Sequence, residues 1–239
     1  MSILDQIASL LRADTSARDA DWYKQFESAI LGLPVQKPNP LQPELITGPD
    51  GLQYLPIRSP AAMPDADFKS ILPDLVEIGC GVVFDFGQSH YVLHYGDVWS
   101  LHEYGFFFKP RGAGDAEQIG TDADQKLSLF KVPNSARIMI GCPSDHYLPH
   151  YVKKNIAGRL NQLGVQTPGV ASVYIRDMSP RQNLVFSLKQ RDFAAPQDFQ
   201  NVMNYLAWSL PKHYGLLWNE LEDDKRPYLV GDADFYPLV

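Results

Sequence analysis

Pro43 to Pro60 reads PELITGPDGLQYLPIRSP, and these residues spell out a hairpin. Leu45 and Ile46 lead into Gly48-Pro49-Asp50-Gly51, and Tyr54, Leu55 and Ile57 lead back out. In the turn the proline presets φ and the glycines permit positive φ. No catalytic motif accompanies the hairpin, so the residues around it have to supply the fold first and the function second.

Upstream, Ile3, Leu4, Ile7, Leu10 and Leu11 recur at helical spacing, as do Trp22, Phe26 and Ile30, so two helices precede the hairpin. Downstream, Gly81 to Phe86 and Tyr91 to Tyr95 read as apolar strands, and Asp97 reads as the N-cap of a helix carrying Val98, Leu101 and His102. From Pro110 to Gln125 the chain has one large apolar residue, Ile119, and can bury very little. Past it come a strand at Arg137 to Ile140 and a helical stripe of Leu148, Val152, Ile156, Leu160 and Leu163 that ends at Gly164. Strands follow at Ser172 to Arg176 and Leu184 to Leu188, then a helix through Phe199, Val202, Met203 and Leu206 that stops before Pro211, and a last strand at Tyr228 to Val230. The pattern predicts an α+β protein of two small mixed α/β halves, the second with βαββα order and compatible with a ferredoxin-like half. The halves are expected at residues 1–109 and 131–239, with a linker or long loop at 110–130.

The 239 residues are 45% hydrophobic and 21% charged, enough apolar surface for a folded core. A net charge of −7, with Lys153-Lys154 and Lys225-Arg226 as the adjacent basic pairs, argues against the basic face of a nucleic-acid binder and favours a basic protein partner. MSILDQIASLL lacks the basic region of a secretory signal, and no apolar run reaches membrane-spanning length. With two cysteines, Cys80 and Cys142, the expectation is reduced thiols in a cytoplasm, with no membrane and no nucleic acid as partner.

The helix holding Phe26, the hairpin ELITGPDGLQYLPIRSP, the run Gly79-Cys80-Gly81-Val82-Val83-Phe84 and the later Gly141-Cys142-Pro143 form a pattern that resembles the enhanced serine sensitivity (SseB) family, with both of its domains represented over about residues 20 to 230. The resemblance implies a bacterial, cytoplasmic protein with a regulatory or binding role. It supplies no catalytic residues and no cofactor.

Three constellations invite chemistry. His90, His94 and His102, with Glu103, are ligand types that suit zinc, but a strand-like run does not give the spacing of a zinc signature, and half-exposed structural histidines serve the pattern equally. Cys142 with Asp145, His146 and His150 suggests a thiol hydrolase or transferase, set against a tight turn whose small thiol packs inside. Glu220, Glu222, Asp223 and Asp224 lack the spacing and glycine of a calcium loop, and Gly112-Ala113-Gly114 lacks the lysine and hydroxyl residue of a phosphate loop, so no cofactor is expected. The aromatics Tyr104, Trp208, Tyr214 and Trp218, together with Arg58, are the candidate binding residues: as core they only pack, and as surface they anchor a partner. The resulting expectation is a non-enzymatic protein-binding module.

Overall fold

The structure is a computed structural model that describes residues 2–14, 18–58, 63–87, 90–106, 138–176, 181–190, 193–218 and 235–238. The protein is α+β, and the chain divides into two compact units. One comprises Met1–Pro110 with Trp208–Lys212; the other comprises Arg111–Ala207 with His213–Val239.

The first unit opens with α1 (Ile3–Leu11) and α2 (Ala20–Leu31). Asp19 caps α2 by accepting from the Trp22 amide, and the Trp22 indole donates to the Leu10 carbonyl at 2.8 Å, tying the two helices together. β1 (Pro34–Val35) then pairs with β4 (Ala66–Asp67) as a short antiparallel clip. The hairpin forms as its sequence predicts. β2 (Ile46–Thr47) and β3 (Gln53–Arg58) are antiparallel, and the turn closes with Gly51 donating to the Gly48 carbonyl at 2.9 Å while Gly51 takes φ of 76°.

α3 (Phe68–Ile78) carries the chain across to β5 (Gly81–Asp85), which is parallel to β3. β6 (His90–Leu93) turns back antiparallel, giving the order β2-β3-β5-β6, and α4 (Tyr95–Tyr104) follows. Inward-facing Leu55, Ile57, Val82, Phe84 and Leu93 are buried together with Phe26, Phe68, Leu75, Val98 and Trp99 from the helices. Edge-to-face rings, Phe26 on Tyr91 at 4.4 Å and Phe68 on Phe84 at 4.9 Å, join α2 and α3 to the sheet.

The second unit runs β7 (Ile138–Gly141), α5 (His150–Gln162), β8 (Gly169–Ile175), β9 (Gln182–Phe186), α6 (Pro196–Ser209, its last two residues counted with the first unit), β10 (Gly215–Trp218) and β11 (Tyr236–Pro237). The expected βαββα order is present, and β10, unforeseen in the sequence, extends it as a parallel neighbour of β9. The pairing is not ferredoxin-like. β7 lies directly against β8, antiparallel, where a split βαβ unit would place another strand between them. β7 and β11 share one edge of β8, at residues 172–175 and 169–170, and β9 takes the other.

Three further expectations are corrected. Asp97 is not the N-cap of α4 but its third residue: His94 is the N-cap, and the Asp97 carboxylate reaches back to the His94 amide in a capping box. Tyr95 therefore opens a helix and does not end a strand. The C-terminal half does not run unbroken to the end, because Trp208–Lys212 belongs to the first unit. The proposed linker, the acidic cluster at 220–224 and the strand at 228–230 lie outside the described residues.

Candidate functional site

Strand alternation gives the first sheet two unlike faces. Inward residues of β3 are Leu55 and Ile57; outward ones are Tyr54, Pro56 and Arg58. Register aligns these outward residues into rows: Ile46, Tyr54 and Gly81; then Pro56, Val83 and Val92; then Arg58, Asp85 and His90. Pro56 sits where β2 has ended and β3 is an edge on that side, a position that tolerates a missing amide donor.

The middle row is an apolar strip open to solvent, with Val92 at 41% exposure, and Ile46 beside Tyr54 at 44%. The third row is charged. Asp85 accepts from the Gly87 amide at 2.8 Å and lies 3.6 Å from the His90 ring nitrogen Nδ1. Arg58 is exposed and has no hydrogen-bond or ion-pair partner among the described residues. An apolar centre bordered by an exposed guanidinium combines residue types that are enriched at protein interfaces.

The first row is different because its Tyr54 is covered. A Cβ at Gly81 would stand 2.6 Å from the Tyr54 ring and one at Gly48 2.8 Å from it, so the ring lies on a floor that only glycine provides. Its hydroxyl donates to Asp50 at 2.6 Å, and burial, followed by that carboxylate, raises its pKa. The Trp208 ring meets Tyr54 edge-on at 5.9 Å and Tyr95 at 5.8 Å.

Residues 208–212, the last two residues of α6 and the three that follow, form a strap across the start of α4. The Trp99 indole donates to the Ser209 carbonyl at 2.8 Å, and a Cβ at Gly96 would fall 2.1 Å from the Leu210 carbonyl group, so glycine is required at that contact. Lys212 then places its ammonium 3.4 Å from Asp97, whose side chain is 1% exposed. Burial holds the Asp97 carboxyl above the usual carboxylate range despite the opposing pull of Lys212 and the His94 amide, and among the described residues Oδ1 has no hydrogen-bond partner.

The other candidates fall as follows. Trp208 is 4% exposed and is core, not an anchor. Tyr214 is stacked on Tyr147 at 4.3 Å and its hydroxyl donates to the Tyr147 carbonyl, so it too serves internal packing. Tyr104 is half-buried against Phe106 and Trp99. The Trp218 side chain lies outside the described residues.

Cys142 is exposed rather than packed inside its turn, and its thiol bonds to the Pro143 carbonyl at 3.7 Å, not to His146 or His150. Lys153 donates to the same carbonyl and to Asp145 at 2.8 Å, which draws the Asp145 carboxyl below its usual range and occupies the acid of the suggested thiol site. His90, His94 and His102 are not brought together. His90 faces Asp85, His94 caps α4 and His102 lies 3.7 Å from Glu103; among the described residues no group of three metal-ligating side chains forms. Nor, among them, is any helix long and apolar enough to cross a membrane.

Sequence reasoning named Arg58 but missed Ile46, Pro56, Val83 and Val92. The signal was present in the alternation of QYLPIR and in the outward phase of HYVL once the two strands are paired. Comparison of the chain with family models, with curated proteins and with solved structures finds no match.

Proposed function

We propose that this protein is a non-enzymatic protein-binding module, a regulator, adaptor or immunity-type factor of a bacterial cytoplasm, and that it docks its partner on the outward face of the first sheet. The observation that carries the reading is the open apolar row Pro56, Val83 and Val92 beside the exposed Arg58. The partner is a protein with an apolar contact patch set in a basic surface, because a chain of net charge −7 steers such a surface toward it. The resemblance of the hairpin and of Gly79 to Phe84 to the SseB family supports the regulatory role.

Affinity capture from the source cell with the wild-type chain and with Val92→Lys tests this. A basic protein retained by the wild type in low salt and lost with the variant is the expected result. Identical capture by both chains removes the sheet face from the reading.

A further inference from the structure

We infer that the strap Trp208–Lys212 regulates this same face by covering one end of it, and that the Asp97–Lys212 ion pair is the latch that keeps the strap closed. The inference rests on the outward face being the docking surface. Along that face the rows run from charged, through apolar and open, to the row of Ile46, Tyr54 and Gly81, where Ile46 is exposed and Tyr54 is covered. Tyr54 points outward with Pro56 and Arg58, yet is 3% exposed, and the ring standing over it is that of Trp208. Lifting the strap would add the Tyr54 ring, already flat on its glycine floor, to the apolar strip beside it. The docking surface would lengthen without any change in the sheet.

The contacts that hold the strap differ in kind. The Trp99 to Ser209 hydrogen bond, the fit of Leu210 against Gly96 and the Trp208 ring against Tyr54 and Tyr95 are fixed features of packing. The Asp97–Lys212 contact can be changed by charge. The Lys212 side chain is 56% exposed while the carboxylate it meets is buried, so solvent reaches one partner only. Removal of the ammonium leaves a buried carboxylate with one oxygen unpartnered, a state that must take up a proton or admit water. The other groups that face Asp97 offer no replacement cation: Tyr54 and Tyr91 are neutral phenols within its field, and His94 contributes its backbone amide. Among the described residues the latch therefore has a single cation, and that cation sits on the strap.

Hydrogen exchange of the Trp99 indole N–H reads the strap without any partner, because that donor is bonded to Ser209. In the full chain, Lys212→Met is expected to speed this exchange about tenfold. Lys212→Arg, which keeps the charge, should hold it near the wild-type rate. In an Asp97→Asn background the Lys212→Met change should have no further effect, since no buried charge then remains to be matched. With the partner from the capture experiment, Lys212→Met should bind more tightly than wild type. Equal indole exchange in wild type and Lys212→Met overturns the latch, whatever Val92→Lys does to binding. Faster exchange with unchanged affinity shows that the strap moves but does not govern the face, and overturns the regulatory claim while leaving docking itself to the Val92→Lys result.

Discussion

β3 and β8 are both central strands, yet they present opposite patterns to solvent. In β8, GVASVYI is buried almost end to end, with Ala171, Val173 and Ile175 forming a cluster with Val185, to which Ile138, Leu217 and Phe235 pack. In β3, QYLPIR alternates, burying Tyr54, Leu55 and Ile57 and exposing Gln53, Pro56 and Arg58. A strand buried on both faces reads as a continuous apolar run, and one with a free face reads as alternation. The difference separates a strand whose residues are enclosed on both faces from one whose outward face meets solvent.

The largest effect should come from breaking the two-sided burial. Val173→Asp puts a carboxylate where exposure is zero and should cost more than about 3 kcal/mol, seen as loss of dispersed amide signals from the second unit. An intermediate effect belongs to the covered end of the open face. Gly81→Ala pushes a Cβ to 2.7 Å from the Leu93 carbonyl and against the Tyr54 ring, and should cost about 1–3 kcal/mol in urea denaturation. Smallest of all, Val92→Lys should leave stability within about 0.5 kcal/mol of wild type, because its side chain already meets water. If Val92→Lys and Val173→Asp prove equally damaging, the contrast between an open strand face and a doubly buried one fails.

The hairpin was legible because a four-residue turn with proline and glycine leaves few conformations open, and α5 because its apolar stripe repeats over three turns and ends at Gly164. What escaped had causes of other kinds. Tyr95-Gly96-Asp97 looks like a turn leading to a cap, but the glycine serves a backbone 114 residues further on, at Leu210, and the acid caps from inside the helix. β10 is four residues with no alternation just after Pro211, and only its pairing with β9 makes it a strand. The same limit governed the binding residues. Arg58 and Val92 point outward by simple phase, whereas Trp208 and Tyr214 are aromatic in any setting, and their partners lie far away in the chain.

The bond between Trp99 and Ser209 spans 110 positions, which has a consequence for biosynthesis. A chain emerging from the ribosome in order ordinarily completes its leading domain first. Here the start of α4 must wait until the chain more than a hundred residues further on has been made and Leu210 can settle against Gly96. The first unit to begin folding is therefore among the last to finish, and a nascent chain stalled before Trp208 carries an incomplete surface that holdase chaperones are suited to shield.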